Sequence, residues 1–332
     1  MPRMKTRPHR VPNLFLSSVF ICAHLWFLSG SVRTQESDQE IVANLAAGRV
    51  VLFVAKDAII IGAAEARVEP DSRPPLVLPL GERRVGILLG ATEWVTPATG
   101  HPPVRLDREL PRLVGEAISR SAKPDPEQAS DMEAIGVAVL ERLRTVAGQL
   151  HHKIDLKPDE PLLELLVVNI DETYGPEVWS LRYHIAQDVL RGYYWRTRVL
   201  RPSYNQLYPP EKGQPRTLIE VRYPADDPGP ALLDLLKQAD PRLARLRSAD
   251  QQLARATERL TQGQSNKASA EDAAAFLRAA LPAVSGTGAK VVLGVLHAQR
   301  RYQWVLAPPE LPQTAAEGKP REPSAPTLRK KP

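Results

Sequence analysis

A chain of 332 residues, 43% hydrophobic and 25% charged, has the composition of a folded protein rather than a disordered or fibrous one, with room for one large domain or two ordinary ones. Its 32 prolines fall between candidate elements and in the C-terminal tail, which is the pattern of many sharp reversals and not of a Pro-rich fibre. The formal net charge of +6 does not argue for nucleic-acid binding, because Arg3, Lys5, Arg7 and Arg10 stand together at the extreme N-terminus and without those four the charge is +2.

Those basic residues open "MPRMKTRPHRVPN", which holds no acid, and the apolar "LFLSSVFICAHLWFLSG" follows. Ser29 and Ser31 then supply the small residues of a cleavage site, so residues 1–31 read as an export signal and the chain is expected to be periplasmic or secreted. The alternative is an uncleaved, inside-positive anchor, which would be the chain's single membrane contact; the apolar run is short for a span and is broken by Ser17, Ser18 and His24. Ile21 precedes Cys22 where a lipoprotein signal needs a small residue. Cys22 is the chain's one cysteine, so the mature protein is expected to lack disulfides, thiolate nucleophiles and zinc–thiolate sites.

Residues 32–40, "VRTQESDQE", form a polar linker. "RVVLFVA" and "AIIIGAA" are strand-length and rich in β-branched residues, and Lys56–Asp57 between them predicts a tight hairpin buried on both faces rather than a span. "PPLVLPL" and "RRVGILLGA" predict a second β pair around "GE". "VRLDRELPRLVGEAISRSA" then has helical spacing, with Pro111 expected near its first turn or else kinking it. "PDPEQASDMEAIGVAVLERLRTVAGQLHHKI" is a stronger helix, with Ser130 expected as N-cap and an apolar face through Ile135, Val139, Leu143 and Val146.

Strands return in "LLELLVVNIDE" and "EVWSLRYHIA", joined by the turn "TYGP". "YYWRTRVLR" and "RTLIEVRYP" are expected to pair across a Pro/Tyr-rich loop. A helical block ends with "SAEDAAAFLRAALPAV", "AKVVLGVLHA" and "RYQWVLA" make a last hairpin, and residues 308–332 are disordered by composition. Blocks of strands alternating with blocks of helices predict an α+β fold of antiparallel sheets with helices layered outside, best met by a four-layer α-β-β-α sandwich.

With those elements in place the chain resembles a proteasome core-particle subunit of the N-terminal-nucleophile (Ntn) hydrolase superfamily. "VVLFVAKDAIIIGAAEAR" is similar to the family's strand, "KDG" turn and strand ending in "AAD.R", with Ala58 for the glycine; "VGILLGATEW" resembles its "GAG"-like turn. "LLELLVVNIDETYGPEVWSLRYH" resembles its middle hairpin, and "SAEDAAAFLRAALPAVSGTGAKVVLGVL" its late helix, Ser-Gly loop and returning strand. The likeness spans residues 48–306 within a domain of 41–307, with 187–262 read as an atypical insertion. Such enzymes attack with a Thr, Ser or Cys at the processed start of the first strand, using the α-amine or a nearby Lys as base.

Counted back from Lys56–Asp57, the resemblance puts the nucleophile at Gly48, the acidic support at Ala64 and the supporting lysine near Leu76. Pro282 stands where the late loop should carry an acid, leaving Ser285 and Gly286. Glycine cannot attack a carbonyl and an apolar residue cannot act as a base, so no catalytic, cofactor-binding or metal residue is assigned. The expectation is a catalytically inactive binding or assembly module, with a protein partner or a homo-oligomer and no nucleic acid or cofactor. The alternative is a secreted Ntn-type or serine hydrolase in which Ser285 or Thr92 works with His101 or His184.

Other motifs carry less. "SGTGAK" lacks the ending of a phosphate loop and follows a helix instead of preceding one. His151 and His152 diverge on a helix and lack a second ligand pair. Asp171, Glu172 and Asp188 have no paired-carboxylate spacing, and the Arg-rich helix 241–262 reads as a solvated face or subunit contact. The Arg/Tyr/Trp mixture of "RYHIAQDVLRGYYWRTRVLRPSYNQLYPP" reads by default as amphipathic strands with Arg outward, and if the chain binds a partner this is where the surface is first expected.

Overall fold

The computed structural model describes residues 43–55, 57–65, 73–94, 104–121, 129–148, 153–154, 156–157, 159–190, 194–212, 217–225, 231–232, 255, 258, 268–286 and 288–308. The signal-like segment, the tail, His101, His151, His152 and nearly all of 241–262 lie outside them.

The described elements are of the α+β class, with mainly antiparallel sheets. In chain order they are β1 (Ala43–Ala46), β2 (Gly48–Val54), β3 (Ala58–Glu65), β4 (Leu76–Pro79), β5 (Arg84–Trp94), β6 (Val104–Arg105), α1 (Leu106–Ser121), α2 (Ala129–Ala147), β7 (Leu163–Asp171), β8 (Gly175–Tyr183), β9 (Ile185–Val189), β10 (Trp195–Val199), β11 (Ser203–Tyr208), β12 (Leu218–Tyr223), α3 (Ala270–Ser285), β13 (Val291–His297) and β14 (Gln303–Leu306). One sheet runs β1-β5-β7-β8-β11, with β4 and β6 also on β5; a second runs β12-β2-β3-β13-β14; β9 and β10 form a separate ribbon.

Alternation along each strand sends successive side chains to opposite faces, and here both faces are apolar. Val51, Phe53, Ile60, Ala64 and Leu293 pack with Phe276, Leu277 and Leu281 of α3. Their neighbours Val50, Leu52, Ile59 and Ile61 pack with Ile87, Leu89, Leu166 and Val168 of the larger sheet. That sheet's other residues, Leu88, Leu165, Val167 and Leu181, join Leu110 and Val114 of α1 and Ile135, Val139, Leu143 and Val146 of α2. This distribution explains why "VVLFV" and "AIII" lack the polar-apolar alternation of a half-exposed strand.

Several expectations are corrected. β1 was not anticipated, because "ANLA" is short and weakly apolar; it forms by pairing with the far end of the 11-residue β5. Helix α2 begins at Ala129, so Ser130 lies within its first turn and is not the cap. "YYWRTRVLR" pairs with β9, not with "RTLIEVRYP", which instead extends the second sheet alongside β2. The Pro/Tyr-rich segment between them contains β11, paired with β8. Helix α3 has an N-cap that the sequence analysis did not single out: Ser269 Oγ accepts the Asp272 N–H at 3.1 Å.

Phe276 meets Phe53 edge-on at 6.3 Å between ring centroids. Phe276→Ala is expected to cost about 3–5 kcal/mol in a denaturant titration, since both rings are enclosed and the site cannot collapse around the loss. A loss under about 1 kcal/mol would contradict this packing.

Candidate functional site

Gly48 opens β2 between Tyr223 of β12 and Glu65 of β3. Its φ is +148°, a conformation that residues with a Cβ rarely adopt, so threonine or serine would be strained there. Cross-strand partners share a face of the sheet. Gly48 therefore shares its face with Glu65, whereas Ala64 stands opposite Arg49 and joins the apolar cluster under α3. Counting residues had put the acidic support at Ala64; the register puts a carboxylate next door, and on the face of Gly48. Glu65 Oε1 lies 3.9 Å from Lys290 Nζ, and the Glu65 N–H donates to the Lys290 carbonyl at 3.1 Å. An acid and an ammonium thus stand beside the start of β2, with no side chain at Gly48 for them to activate.

The other positions of that alignment are dispersed. Leu76 pairs with Leu88 and packs toward the helices on the larger sheet. Pro282 lies inside α3, where its carbonyl accepts the Gly286 N–H at 3.0 Å to close the helix. Ser285 ends α3, is 5% exposed, and its Oγ has no hydrogen-bond partner among the described residues. A serine nucleophile needs a base within hydrogen-bond reach. His184 does not supply one: it follows β8 of the other sheet, where its carbonyl accepts the Leu200 N–H. Thr92 is buried within β5. Asp171 Oδ1 accepts the Thr173 and Tyr174 N–H groups of its own turn, at 2.7 and 2.9 Å, while Glu172 pairs with Arg83 and Asp188 with Arg198.

Charged groups that sequence reasoning passed over are buried: Arg49, Glu164 and Glu177. Arg49, only 2% exposed, places Nη1 3.0 Å from Glu220 Oε1, and Arg222 Nε donates to the same oxygen at 3.0 Å. Glu220 Oε2 accepts the Leu232 N–H at 2.8 Å. The register sets Arg222 directly across from Arg49, so Glu220 between them offsets a like-charge pair while tying residue 232 to the sheet. The signal available was "IEVRY", whose alternation puts Glu220 and Arg222 on one face of a strand.

On the larger sheet, Arg84, Asn169 and Glu177 align across β5, β7 and β8. Burial raises the Glu177 carboxyl above its ordinary range; the Trp179 contact and Arg84 pull it down, and Asp171 pushes it up. Its Oε2 has no hydrogen-bond partner among the described residues. Among those residues, too, no group of three or more His, Cys, Asp or Glu is placed to hold a metal ion, and no helix is long and apolar enough to cross a membrane.

Glu220→Ala should cost about 3–5 kcal/mol, because it removes the carboxylate that faces the desolvated Arg49. The pair Arg49→Met with Glu220→Leu should recover much of that loss in the same chemical-denaturation assay. For Glu177 the folded-state value lies above the unfolded one, so its contribution to stability is full below the unfolded value and is lost as pH rises through the folded value. Glu177→Gln should therefore raise Tm near about pH 7 and lose that advantage near about pH 4. An advantage independent of pH would contradict the assignment.

No protein-family model matches the chain, and no curated protein matches it.

Proposed function

We propose that the chain is an exported protein of the four-layer α-β-β-α, Ntn-hydrolase type that does not catalyse hydrolysis and serves as a binding or assembly module. The layered reading is supported by three separate apolar clusters, one beneath α1 and α2, one shared by residues of both sheets, and one beneath α3. The proteasome-like resemblance supplies the nucleophile position, and Gly48 carries the functional conclusion. It lacks a side chain, and its φ of +148° disfavours the residues that would supply one. The neighbouring Glu65 and Lys290 then act on each other as an ion pair at the strand end. Export rests on the N-terminal signal, with a mature N-terminus near Val32. A protein partner or self-assembly replaces turnover as the role.

The test combines a broad peptide, amide and ester substrate screen, a serine-reactive probe and mass spectrometry of the mature chain. The expected result is no turnover, no labelling and an N-terminus near Val32. Labelling abolished by Ser285→Ala, or a mature N-terminus at a Thr or Ser that starts a strand, would favour the secreted-hydrolase reading instead. Gly48→Thr should not create activity, and should lower stability by about 1–3 kcal/mol through backbone strain. Light scattering of the purified protein separates a monomeric binder from a self-assembling one.

A further inference from the structure

Among the described residues, the ribbon of β9 and β10 leaves one edge of β10 without a further strand. That edge borders a groove of about 670 Å³, lined continuously from Arg196 to Arg201 on one side and by Arg144 and the end of α2 on the other. The phase of the backbone is set by the Leu200 N–H, which donates to the His184 carbonyl at 2.9 Å across the ribbon. In an antiparallel pair alternate residues bond inward, so Arg196 and Arg198 bond toward β9 while Thr197 and Val199 turn their N–H and C=O groups to the groove. The Val199 carbonyl accepts Arg144 Nε at 3.4 Å. Nothing among the described residues pairs with the outward backbone groups of Thr197.

The side chains around this edge are strongly one-signed. Arg144, Arg196, Arg198 and Arg201 all line the groove, and the ribbon's Asp188 is matched to Arg198 at 2.9 Å. Arg196 and Arg201 have no carboxylate partner among the described residues. Leu190 and Leu200 stand beside them, 58% and 44% exposed. A five-residue strand spans about 16 Å, so the edge can template a short extended segment.

We propose that this groove takes an extended acidic peptide segment of a partner protein, added to the free edge of β10 as a third strand. Main-chain hydrogen bonds to Thr197 fix the segment's direction and register. Its carboxylates, on the face of the ribbon that carries Arg196 and Arg198, meet those arginines in charge-assisted pairs. The groove shares no lining residue with the Gly48 edge, so this inference and the absence of hydrolysis stand or fall separately.

The probe is a fluorescein-labelled alternating Glu-Leu hexapeptide, measured by anisotropy against the intact protein. Binding is expected, and it should weaken as salt rises. Arg196→Glu with Arg201→Glu, both at exposed positions, should leave the circular dichroism spectrum unchanged and weaken binding at least about tenfold. N-methylation of alternate peptide amides should abolish binding in one phase and spare it in the other, because only one phase faces the β10 edge. The proposal is overturned if the Lys-Leu counterpart binds as tightly, if both methylated series bind alike, or if the double variant binds like the parent. Affinity for phosphatidylglycerol vesicles with none for the peptide would also overturn it, in favour of a membrane surface.

Discussion

Burial of both faces of the β2–β3 hairpin is the constraint on which the rest of the structure depends. Because side chains alternate with a period of two, the residues of "RVVLFV" and "AIIIGAA" divide between two cores, one shared with the larger sheet and one beneath α3. A slip of one residue would exchange the two sets and bring Arg49 into the apolar space between the sheets. Register here is therefore held by many side chains at once. The same arithmetic repeats on β5 and β7, whose alternate residues turn to the helices α1 and α2.

That register also governs the chemistry at the start of β2. Gly48 faces with Glu65, and Arg49 with Ala64, so adjacent residues serve unrelated ends. Glu65 meets Lys290 near the strand end, while Arg49 points under α3 and must bring its own counter-charge. Glu220 lies against both guanidiniums and anchors the Leu232 backbone. A buried arginine at the second position of a strand is costly without such a partner. Through Glu220 the cluster ties β2, β12 and residue 232 together.

The ribbon of β9 and β10 follows a different logic. Its Thr197 and Val199 side chains are buried whereas Arg196 and Arg198 are exposed, and among the described residues no further strand pairs with β10. Charged side chains on a free edge guard against unspecific pairing. Four arginines line one groove, and in the proposed role the same charges would favour acidic over basic segments.

How far the sequence could be read depended on the range of the interactions. Strands β2, β3, β4, β5, β7, β8, β13 and β14 and the three helices were legible from local period and turn residues, since these act within a few positions. Strands β1 and β11 were not, because their residues are unremarkable alone and become strands only through pairing with β5 and β8. The partner of "RTLIEVRYP" was misjudged for the same reason: chain proximity favoured β10, but the free edge of β2 buries its apolar face. By itself the sequence determined which segments are apolar on both faces and that position 48 bears no side chain. Only the tertiary structure decided that Glu65 rather than Ala64 faces Gly48, that Glu220 closes on Arg49, and that four arginines share one groove. Those relations join residues far apart in the chain, and they exist only once the strands have chosen partners and register.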